Sequence, residues 1–213
     1  MNKAKTMVAL DCGNSSFRIV TGQYSEGRIQ SEVISQIPNS MVKIGKYYYW
    51  DLLHIFNEFK ASLKEIVSKK ERIDSIGICT WGVDFAFFDK EGHMLSNPLS
   101  YRNVIGENQL SKLNGEDEKQ MFYETGILCD KINSLYMMAG MKELFPHILS
   151  AADKCLMVPD ILNYFLTGEM VNEPSELSTT QLMSAKDRQI SPTVCEKFGI
   201  DQNIFCKIGK HGE

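Results

Sequence analysis

Two rhythms of apolar positions run along this chain. Residues 7–12 (MVALDC) form a short, nearly continuous apolar run that stops at Gly13, the mark of a buried strand. Asn14, Ser15 and Ser16 are turn material, and β-branched residues resume over 17–21, so the two runs predict a hairpin. A third strand is expected around 29–37, after a turn at Glu26-Gly27. Over 51–70 the rhythm changes. Leu52, Phe56, Phe59, Leu63, Ile66 and Val67 recur at three- and four-residue steps, the stripe of an amphipathic helix, with Asp51 as its N-cap. A buried strand over 73–79 leads into Thr80-Trp81-Gly82-Val83-Asp84, and residues 85–89 are expected to pair with Met94-Leu95 across the turn Lys90-Glu91-Gly92. Strand, strand, strand, helix, strand is the order of a mixed sheet with helices against it, an α/β domain.

The rest of the chain is more helical. Helices are predicted over 107–113, 116–124, 134–144 and 159–166, the last with Pro159 in its first turn and Gly168 just past its end. Residues 154–158 read as a short strand. From Asp187 on, periodicity fades, and 207–213 is a Gly-rich polar tail that reads as cut off rather than capped. There is no internal repeat and no low-complexity linker.

Composition narrows the classes of function. The 213 residues are 43% hydrophobic and 23% charged, enough for a real core. At roughly 150 residues per domain, that length holds one large domain or one and a half. The net charge of −4 gives no footprint for nucleic acid or an acidic membrane surface, so the expected ligand is a small molecule. The apolar run ending at Leu10 is too short for a signal peptide, and no 18-residue apolar stretch exists to span a membrane. Six scattered cysteines, none at C-x-x-C spacing, read as reduced, buried and cytoplasmic. His54, His93, His147 and His211 show no ligand spacing, so a zinc-type site is not expected. Nothing in the sequence decides for or against a homo-oligomer.

Three constellations carry candidate chemistry. The first is Asp11-Cys12-Gly13-Asn14-Ser15-Ser16-Phe17-Arg18. A strand that stops at Gly and continues in small polar residues exposes backbone N–H groups and hydroxyls suited to phosphate oxygens. Asp11 is placed to hold Mg²⁺ through water, and Arg18 to reach the same phosphates. The plainer alternative is a polar hairpin turn with a structural Asp. Walker A and G-x-G-x-x-G loops are absent, because Gly45-Lys46 and Gly209-Lys210 lack the upstream Gly. The second constellation is Thr80-Trp81-Gly82-Val83-Asp84 at a strand's carboxyl end, where α/β sheets receive ligands. Gly82 permits close approach, Asp84 accepts from neighbouring hydroxyls, and Trp81 offers a flat face. The alternative is a turn with a core Trp and a solvated Asp. The third is Ser100-Tyr101-Arg102-Asn103, either a solvated loop or the lining of a polar pocket.

Taken together, these segments resemble the N-terminal domain of the FGGY carbohydrate kinases, and within that family the rhamnulokinases. The likeness rests on ALDCGNSSFR (9–18), on SIGICTWGVDFAFFDKEGHMLSNPLSYR (75–102), and on LMVPDILNYFLTG (156–168) followed by STTQL (178–182). It implies that residues 1–213 are the first lobe of a two-lobe kinase with a ribonuclease-H-like, actin-like ATPase fold. ATP with Mg²⁺ would lie across both lobes, and a sugar, a ketose such as L-rhamnulose, deep in the cleft. It further implies that Gly13, Asn14, Ser15, Ser16, Phe17 and Arg18 contact ATP phosphates. Gly82, Asp84, Tyr101, Arg102 and Asn133 would contact the sugar. The family's catalytic Asp opens the second lobe and has no counterpart here, so no catalytic residue is assigned and the chain alone is expected to be inactive. The chain departs from the pattern in three places. Asn14 stands where the family has Thr or Ala, Asn103 where an Asp follows the YR pair, and Lys131-Ile132-Asn133-Ser134 where rhamnulokinases carry Pro-Phe-Asn-Thr. An inactive sugar sensor or interaction module of the same fold, and another actin-like ATPase, remain as alternatives.

Overall fold

In the structure, a computed structural model that describes residues 5–70 and 72–210, strand β1 (Lys5–Cys12) alternates strictly. Thr6, Val8, Leu10 and Cys12 point inward and the residues between them outward. The residues ahead of Lys5, His211 and the end of the tail lie outside the described residues. Contacts divide the chain into two compact units. One holds the described residues up to Val42 together with Trp50–Trp81; the other holds Lys43–Tyr49 and the described residues from Gly82.

In the first unit, β1 pairs antiparallel with β2 (Ser16–Ser25), placing Asp11 opposite Arg18. Strand β3 (Arg28–Pro38) follows a tight turn in which Glu26 and Gly27 both have positive φ, 51° and 78°, which matches the right-handed twist of a hairpin. Helix α1 (Leu52–Lys70) starts where Asp51 Oδ1 accepts from the His54 N–H at 3.0 Å. It buries Leu52, Ile55, Phe59 and Ile66, while Val8, Leu10, Phe17 and Ile19 are the buried side chains of the sheet. Strand β6 (Ser75–Cys79) runs parallel to β1, so the sheet reads β3-β2-β1-β6 and is mixed, as expected of the ribonuclease-H-like fold. It begins two residues later than the apolar run and, read above as buried, is mostly exposed; just ahead of it the Asp74 carboxylate accepts from the Thr6 N–H (2.9 Å) and ion-pairs with Arg72. An unexpected hairpin, β4 (Met41–Ile44) and β5 (Tyr47–Trp50), whose residues Lys43–Tyr49 belong to the second unit, turns at Gly45 with φ 61°.

The second unit is built around β7 (Phe85–Phe88), all four of whose side chains are buried, paired antiparallel with β8 (Lys154–Met157). Met94 bridges back to Phe88, and the Leu95 N–H donates to the Phe87 carbonyl. Helix α2 (Glu107–Leu110) follows a 3₁₀ turn at Val104–Gly106 and is shorter than its apolar pattern, with Asn114 instead capping α3 (Gly115–Thr125) through a capping box. Helix α4 (Ser134–Leu144) is buried from Ser134 to Met141, the behaviour of a helix that is apolar on every side. A Cβ at Gly140 would collide with the Ile105 carbonyl, so glycine lets the 3₁₀ turn lie directly on this helix. The next elements are α5 (Pro146–Ala151), α6 (Val158–Thr167), α7 (Pro174–Ser178) and α8 (Pro192–Phe198). Among the described residues, no helix is long and apolar enough to cross a membrane.

Candidate functional site

The Asp11–Arg18 segment lies wholly in the first unit. Its turn is closed by the Gly13 N–H donating to the Ser16 carbonyl at 2.9 Å. A Cβ at Gly13 would sit 3.1 Å from that carbonyl, so the closure favours glycine. The base of the turn is fixed from β3's end, where Asn39 Nδ2 donates to the Gly13 carbonyl (2.8 Å) and the Asn39 N–H to the Ser15 carbonyl (2.9 Å). Gly13, Asn14 and Ser15 remain exposed, Ser16 is half-buried, and Phe17 is buried beside the His54 ring. Arg18 Nη2 lies 2.7 Å from Asp11 Oδ2, with both side chains about half exposed (50% and 45%). A pair so exposed contributes about 0–1 kcal/mol, so either partner is readily exchanged for a ligand. The turn therefore fits phosphate and a water-bridged Mg²⁺: an exposed rim of small residues, a cation at one end and a carboxylate beside it. Burial, then the Asp11 charge, pushes the Cys12 thiol up to about 12, which makes it an inert core residue.

Trp81 also belongs to the first unit, where it stacks on buried Trp50 with ring centroids 4.2 Å apart. One of its faces is thus occupied.

Gly82, Asp84, Tyr101, Arg102 and Asn133 all lie in the second unit. Asp84 immediately precedes β7 and is 1% exposed. Its N–H donates to the Gly82 carbonyl at 3.0 Å, and Val83 between them has φ 71°. This is a γ-turn of the rare positive-φ kind, and a β-branched residue there is strained by about 1–3 kcal/mol. The strain is held by two hydroxyls. Thr179 Oγ1 accepts from the Val83 N–H at 3.0 Å, and Ser134 Oγ donates to the Val83 carbonyl. The Asp84 carbonyl accepts from the Val158 N–H at 3.1 Å, fixing the turn's exit. A Cβ at Gly82 would meet Thr179 Cγ2 at 2.9 Å, so Gly82 is needed for this packing.

Asn133, 5% exposed, donates through Nδ2 to the Leu128 carbonyl (2.8 Å) and to Gln181 Oε1 (2.9 Å). Gln181 is itself fully buried at φ 62° and donates to the Ile127 carbonyl (2.8 Å). The Leu135 N–H donates to the Thr180 carbonyl, so the start of α4, the 179–181 segment and the γ-turn form one hydrogen-bonded body. Arg102 is exposed and lies over the Tyr101 ring, 5.6 Å from its centroid. Asn103 is buried and grips the β5 backbone. Its Oδ1 accepts from the Tyr48 N–H, and its Nδ2 donates to the Tyr48 and Ser100 carbonyls. An Asp in its place would have no hydrogen to donate. Sequence reasoning named Gly82 and Asp84 but gave no role to Val83, Ser134, Thr179 or Gln181; the STTQL segment was the only signal pointing at the last two.

Comparison with known proteins follows the same outline. The sequence profile of the FGGY family of carbohydrate kinases, N-terminal domain, matches residues 6–213. The chain is 34% identical over 209 residues to a rhamnulokinase of Bacteroides thetaiotaomicron, and 32% over 202 residues to one of Oceanobacillus iheyensis. Those alignments take in 96% and 94% of this chain but only 42% and 43% of those proteins, so the chain spans about two-fifths of the relatives' length. Among solved structures, a gluconate kinase and a xylulose kinase from Lactobacillus acidophilus superpose with TM-scores of 0.86 and 0.84. Each is 15% identical to this chain; the superpositions take in 98% and 97% of it and 42% of each kinase.

Proposed function

Because this chain belongs to the FGGY family of carbohydrate kinases, we infer that the protein carrying it transfers the γ-phosphoryl group of ATP to a hydroxyl of a ketose such as L-rhamnulose. In this reading residues 1–213 are the first lobe of that kinase and supply the sugar site and the phosphate turn. The observation that carries it is the strained turn at 82–84, which presents the buried Asp84 carboxylate in a chain 34% identical to a rhamnulokinase.

Phosphoryl transfer depends on positioning and charge stabilisation more than on covalent chemistry. Asp84 accepts from sugar hydroxyls and sets the sugar's orientation, while Gly82 keeps the backbone accessible. Tyr101 and Arg102 form a wall of the pocket, with Arg102 as a donor. Asn133, whose amide hydrogens are already placed within the protein, offers Oδ1. Backbone N–H groups and hydroxyls of Asn14–Ser16 receive the phosphates, with Gly13 letting them approach the backbone closely, Phe17 anchoring the turn in the core and Arg18 adding positive charge. Mg²⁺ held near Asp11 through water would offset phosphate charge. The carboxylate that takes the hydroxyl proton comes from a second lobe, so residues 1–213 alone bind without turning over. The six cysteines are free, which suits a reducing cytoplasmic setting.

An assay of ADP release by the full-length protein, with L-rhamnulose, L-xylulose and no sugar in parallel, tests the proposal. Sugar-dependent release is expected, with Asp84→Asn raising the sugar KM and leaving the ATP KM in place. Sugar binding without ADP release would establish the sensor alternative instead.

A further inference from the structure

The γ-turn under Asp84 does not hold itself. A β-branched residue at φ 71° relaxes unless its surroundings over-determine it. The turn's own hydrogen bond, Asp84 N–H to the Gly82 carbonyl, joins the two peptide groups that flank Val83 but leaves the Val83 N–H and the Val83 carbonyl without a partner inside the turn. Those two groups are the ones the structure restrains. The Val83 N–H goes to Thr179 Oγ1 and the Val83 carbonyl receives Ser134 Oγ. Thr179 is well placed for this. It caps the C-terminus of α7, and its hydroxyl hydrogen is directed to the Glu176 carbonyl at 2.7 Å, which turns an oxygen lone pair toward Val83. Its Cγ2 packs against the Gly82 α-carbon, at 2.9 Å from where a Cβ would be. The same side chain thus restrains two consecutive residues of the turn.

Resting on the ketose-kinase reading, we propose that Thr179 is a positioning residue of the sugar site: by accepting the Val83 amide it keeps the γ-turn closed, and through the turn it sets the direction of the Asp84 carboxylate. Ser134 acts on the other side of the same residue. Thr179 touches no substrate. Its removal is felt by the sugar, not by ATP, since the phosphate turn at Gly13–Arg18 belongs to the other unit of the chain.

The test compares wild type, Thr179→Val and Thr179→Ser in the full-length protein. Valine keeps the shape and the Cγ contact but accepts no hydrogen bond; serine keeps the hydroxyl. Thr179→Val is expected to raise the sugar KM about ten-fold or lower sugar kcat/KM by that factor, the change one well-placed hydrogen bond produces. The ATP KM is expected to stay within about two-fold, and Thr179→Ser to restore the sugar parameters. Hydrogen exchange at the Val83 amide is expected to speed up about ten-fold in the valine variant and not in the serine variant. Sugar parameters unchanged in Thr179→Val overturn the proposal, as does a parallel loss of sugar and ATP affinity with a lowered Tm. Unchanged Val83 exchange overturns the clamp itself. A wild type with no sugar-dependent turnover overturns the functional reading alone, and the exchange rates then decide the clamp without it.

Discussion

Restoring the family's acid at Asn103 is expected to damage this chain. In Asn103→Asp, Oδ1 still accepts from the Tyr48 N–H, but the donations from Nδ2 to the Tyr48 and Ser100 carbonyls, both 2.8 Å, disappear. The site is 7% exposed, so water does not replace them. Each carbonyl keeps one backbone partner, the Ser100 N–H on Tyr48 and the Asn103 N–H on Ser100, both at 2.9 Å, so each lost bond costs about 0.5–1.5 kcal/mol, and a carboxylate oxygen facing two carbonyls adds repulsion. The two losses together amount to about 1–3 kcal/mol at neutral pH before that repulsion, which in a chain of this size lowers Tm by roughly 2–12 °C. The loss is pH-dependent in a definite direction. Protonation returns one donor, so the folded pKa of the introduced carboxyl lies above the ordinary carboxylate value near 3.9. The folded state then holds a proton that the unfolded chain releases, and the variant loses stability as pH rises from about 4 toward that folded pKa. Urea titrations of wild type and variant at pH 5 and pH 7.5, compared at fixed m-value, measure both effects. A difference under about 0.5 kcal/mol at pH 7.5 would falsify the argument that Asn103 staples β5 to the Ser100 loop.

Gly82→Ala forces a methyl to within 2.9 Å of Thr179 Cγ2, an overpacking worth about 1–3 kcal/mol; the sugar KM is expected to rise, and wild-type sugar KM and Tm would sink the packing argument. Val83→Gly removes the left-handed strain at φ 71°, so stability is expected to hold or rise by up to about 1 kcal/mol while sugar affinity falls, read by thermal melts and sugar kinetics together. Burial raises Asp160 from 3.8 to about 7, against the hydrogen bonds from Asn172 and Glu173, and burial with the Asp160 charge raises Glu176 from 4.5 to about 7. Folded pKa values above the unfolded ones mean that stability falls as pH rises from about 4 to about 7 and is level above that, with Asp160 accounting for up to about 4 kcal/mol of the fall. Asp160→Asn is expected to flatten that slope in melts from about pH 4.5 to pH 8, and an unchanged slope rules out Asp160 as its source.

Periodicity made the first hairpin, α1 and α4 legible, because each buries one face or every face of a regular element, whereas β3, exposed along most of its length, is read from the Glu26-Gly27 turn before it. It failed for β5, whose Tyr47–Trp50 run is aromatic throughout and has no alternation to read. The three helices that went unread, α5, α7 and α8, are five to seven residues long and each opens on a proline, at Pro146, Pro174 and Pro192. A Pro at the first helical position was the available signal; the windows were too short for a hydrophobic stripe. In the candidate site, residue types alone pointed to Gly82 and Asp84. The groups that hold them were not legible, because Thr179 reaches Val83 across 96 positions and Ser134 across 51, and a hydroxyl's distant partner leaves no local pattern.

The geometry at Asn103 also bears on the choice between kinase and inert module. An Asn where the family carries an acid invites the reading that a functional group has been lost. Here the amide is committed within the protein: all three of its hydrogen bonds go to backbone, and the side chain is buried. The substitution therefore reads as one of scaffold, in which a donor replaces an acceptor and adds a second hydrogen bond to each of the Tyr48 and Ser100 carbonyls. Asn14 is different in kind, since it stands on the exposed rim of the turn proposed above to receive phosphate, where a change of side chain would alter what a phosphate meets. Any weakening of kinase chemistry in this chain should thus appear in the nucleotide's kinetics and not in the sugar's. Asn14→Thr in the full-length protein is the direct check: a lower ATP KM with an unchanged sugar KM is expected, and a shift confined to the sugar would refute this division of roles.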